Sequence, residues 1–237
     1  MIELLSAFTR SLRDLRRGEV LWQALWPPLV ALALWLSVGY LFWSDGLALM
    51  ARIVPSLPWT GWDWVARWAS GFLMLAALAA LIYITAMMLV AIFALPFLIR
   101  LVAARDYPEL GRHGENVFRG SLMNTLTAGA LFIVASLAML PLLLIPGMLL
   151  VLPLLLGAWL NQRTFRFDAL AEHATNSELE CLAREHRGRF YTAGLVTAAA
   201  AQLPLINILV PAFTALVFVH LGLAALRRLR LEQGIEL

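Results

Sequence analysis

The chain has no lysine. All 18 of its basic residues are arginine, set against 15 acidic residues in a length of 237. Charge is scarce overall: 14% of residues, where a soluble domain carries roughly 25%. Cysteine occurs once, as Cys181, so no disulfide can form within the chain. A net charge of +3 does not make the basic face of a soluble nucleic-acid binder, and no nucleic-acid partner is expected. Sequence motifs of catalysis are missing too, with no Walker loop, dinucleotide fingerprint, GxSxG or HExxH. The four histidines, His113, His173, His186 and His220, have no metal-ligand spacing. The expectation is a protein that is not an enzyme, with no catalytic residues, metal or cofactor.

What is present is apolar. Hydrophobic residues make up 62%, against about 45–50% in soluble domains, which excludes disorder and points to the lipid bilayer as partner. The charges themselves mark the organisation. Val20–Ser44, Trp68–Ile99, Gly120–Gln162 and Phe190–Leu226 contain no Asp, Glu or Arg, and are 25, 32, 43 and 37 residues long. One membrane helix needs about 20 apolar residues, so the first two runs each suit one span and the last two are too long for one.

Both long runs are interrupted near their middles by paired prolines, Pro141 with Pro146-Gly147 and Pro204 with Pro211. Proline removes a helical donor and crowds the preceding turn. Each long run is therefore expected to be a helical hairpin, the alternative being a kink in one long tilted helix. The arms of the last run hold only about 14–15 residues, or roughly 22 Å of helix, short of a hydrocarbon core of about 30 Å. Partial penetration is expected there.

The arginines orient this arrangement. Residues 1–19, 100–119, 163–189 and 227–237 carry 16 of the 18, and residues 45–67 carry only Arg52 and Arg67. Two spans followed by two hairpins place all four rich segments on one side, which the positive-inside rule makes cytoplasmic, together with both termini. Trp43, Trp59, Trp62, Trp64 and Trp68 gather around the arginine-poor loop, as a belt at the outer interface would. The expected plan is all-α, a single membrane domain. An amphipathic helix over 1–19 precedes a first span over 20–44, an outer loop over 45–67 and a second span over 68–99. A cytoplasmic loop over 100–119, a hairpin over 120–162, a connection over 163–189, a second hairpin over 190–226 and a basic tail over 227–237 complete it.

Local signals add detail. Leu5, Phe8, Leu12 and Leu15 form an apolar stripe on the first helix, suited to the membrane interface. Thr175-Asn176-Ser177-Glu178 fits a capping box that opens a short helix, with Gly188 expected to close it. His220 is the sole histidine inside a charge-free run, readable as a satisfied buried side chain or as a proton relay. Gln202 and Asn207 flank Pro204, and Asn161, Gln162 and Arg163 end the third run. Such groups either satisfy broken backbone or line a ligand path. Gly71, Ala76, Ala80, Gly194 and Ala198 offer small-residue spacing for close helix packing.

Pro204-Leu205-Ile206-Asn207 followed by Pro211, together with Ile145-Pro146-Gly147, Ala158-Trp159 and Phe165-Arg166-Phe167-Asp168, resembles the CysZ-type sulfate permeases, grouped with the etoposide-induced membrane proteins. Pro27 in the first span and Pro96-Phe97 ending the second fall in the same order. The resemblance implies a bacterial inner-membrane homo-oligomer that passes a small anion, sulfate first, through a fold of two long helices and two incompletely penetrating hairpins. The permeases carry an arginine pair shortly before the first-span proline, where this chain has Leu21 and Trp22, with Arg16 and Arg17 about one turn earlier. The residues nominated for anion contact are Arg16, Arg17, Arg100 and Asn207. A non-transporting scaffold or envelope-maintenance protein of the same fold is the alternative.

Overall fold

The computed structural model describes residues 2–55, 61–114, 117–203 and 206–235. Its helices are α1 Ile2–Leu15, α2 Gly18–Leu41, α3 Trp43–Ile53, α4 Trp62–Leu89, α5 Leu95–Asp106, α6 Val117–Ala138, α7 Met148–Ala171, α8 Asn176–Glu185, α9 Arg187–Ala200 and α10 Val210–Gln233. No strand occurs among the described residues. Gly18–Leu41, Trp62–Asp106, Val117–Ala138, Met148–Ala171 and Val210–Gln233 are long and apolar enough to cross a membrane. The protein is an all-α polytopic membrane protein, as its charge gaps imply. The chain forms two compact units, residues 24–94 and residues 1–23 with 95–237.

In the 24–94 unit, α3 packs on α4. Trp35 Nε1 donates to Thr85 Oγ1 at 2.8 Å, and the Trp26 and Phe93 rings lie 6.0 Å apart. The expected outer loop is in part helix, because α3 occupies Trp43–Ile53. Trp62 Nε1 reaches back to the Pro55 carbonyl at 2.9 Å. Trp43, Trp64 and Trp68 are exposed, in keeping with a belt, while residues 56–60, including Trp59, lie outside the described residues.

The second span does not stop at Pro96. A π-helical turn over Val90–Ala94 joins α4 to α5, and the stretch runs 45 residues to Asp106. Proline crowds the carbonyl one turn before it, and a widened turn at that point makes room. Pro27 is likewise carried inside α2.

In the larger unit α10 is the central helix, with α1, α5, α7 and α9 packed on it. Leu216, Phe218, Leu223 and Leu226 are fully buried along it. Residues 227–233 are not a loose tail but the last turns of this helix. Their arginines find carboxylates on other elements: Arg227 on Glu109, Arg228 on Glu3 and Arg230 on Glu178. Gly234 then ends it with φ +66°, where Ile235 N–H reaches the Arg230 carbonyl at 3.0 Å. The partner arm α9 has 14 residues, about 21 Å, so the two arms are unequal.

The first hairpin turns through a 3₁₀ segment at Leu140–Leu144 and Pro146-Gly147, where Gly147 adopts φ +89°. Its second arm continues past Gln162 to Ala171, absorbing part of the expected connection. The capping box of α8 forms, with Thr175 Oγ1 accepting from Glu178 N at 3.3 Å and Thr175 N donating to Glu178 Oε2 at 2.7 Å. Gly188 does not terminate α8. His186 hinges it directly into α9, and Gly188 lies in the first turn of α9. Gly194 packs α9 onto α7 so closely that a Cβ there would sit 2.5 Å from the Ala158 carbonyl oxygen. Gly71 has no such neighbour.

Candidate functional site

The face of α1 that meets α10 is its small and polar one. Ala7, Ser11 and Asp14, at helical spacings of four and three, are buried, while Ile2, Leu5 and Leu12 are exposed. Ile2, Leu5 and Leu12 thus face outward, where lipid can take them, while Phe8 turns to Phe213 of α10 and the polar seam faces protein. At its end Asp14 meets Arg105 of α5 and His220 of α10. Arg105 Nη2 lies 2.8 Å from Asp14 Oδ1, and His220 Nε2 lies 3.0 Å from Asp14 Oδ2. Arg105 also grips Asp106, Nε to Oδ1 at 3.0 Å and Nη2 to Oδ2 at 3.1 Å.

A carboxylate only accepts, so the proton of this contact is on His220 Nε2. Nδ1 has no hydrogen-bond partner among the described residues and lies 4.0 Å from Asp106 Oδ2. Burial raises the Asp14 pKa, but the hydrogen bonds from Arg105 and His220 outweigh it and hold the carboxyl below its ordinary value. Asp14, Asp106 and His220 bring ligand atoms within 4.8 Å of one another. Arg105 already binds both carboxylates and supplies the positive charge a cation would bring, so the cluster is an ion-pair network.

A cavity of about 340 Å³ adjoins the network. Its walls are Glu3, Ser6 and Arg10 of α1, Tyr107 just after α5, and Arg227 and Arg228 of α10, with His220 at its inner end. Tyr107 donates to the His220 carbonyl at 3.2 Å. Burial raises the Tyr107 pKa, the adjacent Arg10 only partly offsetting it, so the phenol remains a donor. Glu3 holds Arg228 and, from α9, Arg189. Arg10 has no carboxylate ion pair among the described residues. Positive charge and donors therefore converge on one cavity.

The residues nominated for anion contact lie on separate segments of the chain. Arg16 is exposed in the link after α1, and Arg17 pairs with Asp14 at 3.4 Å. Arg100 on α5 faces Glu172 at 3.5 Å, and Asn207 sits in the α9–α10 turn. Pro211 occupies the first turn of α10, as helix geometry allows. Pro204 lies outside the described residues. Asp14, Arg105, Arg10 and Arg227 escaped the sequence reading, although His220, alone in a charge-free run, signalled a polar partner.

Apolar helices and proline turns of this kind belong to a multi-pass membrane protein. Residues 7–211 match the sulfate transporter CysZ/etoposide-induced protein 2.4 family, and the chain belongs to it. No curated protein and no solved structure matches the chain.

Proposed function

We propose that the protein is an inner-membrane permease for a small oxyanion, with sulfate the first substrate, and with both termini in the cytoplasm. The carrying observation is the cavity between α1 and α10, where Arg10, Arg227 and Arg228 converge and Arg10 lacks a carboxylate among the described residues. Arginine grips tetrahedral oxyanions through paired N–H donors. Along α10 the lining runs from His220 past Leu221 and Ala224 to Arg227 and Arg228, eight residues or about 12 Å, with its charge gathered at the arginine end. Membership of a family described as sulfate transporter supports the substrate class.

A second reading, a non-transporting scaffold of the same fold, draws on the carboxylates that Arg17 and Arg100 already hold, Asp14 and Glu172. Radiolabelled sulfate uptake in a host lacking its own sulfate transport distinguishes the two. Rescue is expected, with a loss in R10Q. No rescue, with the protein demonstrably in the membrane, refutes the permease.

A further inference from the structure

Five arginines are not exposed: Arg105, Arg163, Arg166, Arg189 and Arg230. Three have carboxylate partners, Arg105 with Asp14 and Asp106, Arg189 with Glu3, and Arg230 with Glu178. Arg163 and Arg166 have none among the described residues. Both project from α7, one turn apart, and their charges repel.

Their surroundings are neutral. The Arg163 guanidinium lies over the Trp159 ring at 5.6 Å, and its Nε is buried with no acceptor among the described residues. The Arg166 guanidinium lies over Phe190 at 5.9 Å, and its Nη1 donates to Gln162 Oε1 at 3.1 Å. That amide contact is the one side-chain hydrogen bond the pair donates among the described residues. Two guanidinium groups offer five N–H donors each, so nearly all of this capacity is unspent. The aromatic faces favour cations but neutralise nothing. Two adjacent, partly desolvated like charges are unfavourable without a counter-ion, and every other sheltered arginine of the chain has one.

We propose that Arg163 and Arg166, with Gln162 beside them, form a binding site for a tetrahedral oxyanion. The ligand is a free sulfate or phosphate ion or the phosphate of an anionic lipid headgroup. Trp159, Gln162, Arg163 and Arg166 recur at spacings of three, one and three, which keeps them on one side of α7. The site does not depend on the transport reading, and Arg10 takes no part in it.

The test uses the full chain in a zwitterionic detergent. Sodium sulfate and sodium phosphate are titrated at constant ionic strength against sodium chloride, with thermal midpoint and calorimetric affinity as readouts. The titrations are run in the R10Q background as well as in wild type, so that oxyanion binding in the α1–α10 cavity is separated from binding at this site. In the R10Q background binding is expected to remain, and R163Q or R166Q added to it to weaken that binding about tenfold. R163K and R166K keep the charge and protect the fold, but lose the planar fork, so they too should weaken binding. In parallel, native mass spectrometry compares retention of phosphatidylglycerol and phosphatidylcholine. Loss of a phosphatidylglycerol preference in the variants, without an effect of free anions, identifies the lipid as the source. Wild type showing neither oxyanion binding nor this preference overturns the site. So do variants, the lysine forms included, that bind as wild type does. Absent uptake with intact binding here refutes the permease alone.

Discussion

Arg230 and Glu178 bind each other in the protein interior, Nε to Oε1 at 2.8 Å and Nη2 to Oε2 at 3.2 Å, with the arginine side chain 1% exposed. The same glutamate closes the capping box of α8, and the same arginine donates to the His173 carbonyl at 2.7 Å. One pair therefore joins the end of α10 to the start of α8. Removing one partner of a buried pair strands the other charge, at a cost of about 3–5 kcal/mol. E178A should lower the thermal midpoint sharply, and E178L with R230M should recover much of the loss. A midpoint unchanged in E178A would show that the pair contributes nothing.

Acid should unlock two contacts together. Burial raises the pKa of Glu178, but bonds from Arg230 and Thr175 outweigh it and bring the carboxyl below its ordinary 4.5. Asp14 lies below its ordinary 3.8, for the parallel reason given by Arg105 and His220. A lowered folded-state value contributes stability above the ordinary value, lost as pH falls through the folded one. The thermal midpoint should hold near neutrality and fall below about pH 4.5, and D14N and E178Q should flatten that fall. An equally steep acid limb in both variants would place the sensitivity elsewhere.

The features legible in the sequence are local ones. Charge gaps mark apolar helices, Pro146-Gly147 marks a turn, and Thr175 with Glu178 marks a cap, because each depends on neighbours within a few residues. Pro96 misleads, since a π turn carries the helix past it. Arg227, Arg228 and Arg230 read as a tail because their carboxylates lie on α8, on α1 and after α5, far along the chain. Asp14 and His220 are 206 positions apart, and no local pattern announces their bond. On α1 the apolar stripe was legible, but which face would meet protein was not: the seam is built from Ala7, Ser11 and Asp14.

That seam makes α1 dependent on Asp14. D14A leaves Arg105 and His220 without their shared acceptor and removes the buried anchor of the helix. Limited proteolysis should then cut within residues 1–19 faster, by about tenfold or more if the anchor contributes 1.5–3 kcal/mol as a charged hydrogen bond does. Cleavage at the wild-type rate would mean that Phe8 against Phe213, whose rings lie 6.0 Å apart, is sufficient to hold α1.

Close packing of α7 and α9 rests on a missing side chain. A methyl at Gly194 would approach the Ala158 carbonyl oxygen to 2.5 Å, and backbone cannot step aside cheaply. G194A should destabilise by about 1–3 kcal/mol, as overpacking does. G188A, with open space around it, should be neutral or slightly stabilising through helix propensity. Equal midpoints for the two variants would contradict the contact.

Glu3 stands in the basic cavity as a carboxylate already gripped by Arg228 and Arg189. On the permease reading it competes with an incoming oxyanion for the same guanidinium groups. Replacing it by glutamine removes the competitor while preserving the side chain's size, so E3Q should lower the KM for sulfate uptake. R10Q should raise KM, because Arg10 is the cavity arginine with no carboxylate partner among the described residues. Each change corresponds to one charge-assisted contact, about tenfold or somewhat more. Opposite shifts in KM from two substitutions on one face of α1 would be difficult to produce by misfolding, which lowers the maximal rate in both. Parallel losses of rate in E3Q and R10Q, with KM unchanged, would remove the cavity from the anion's path.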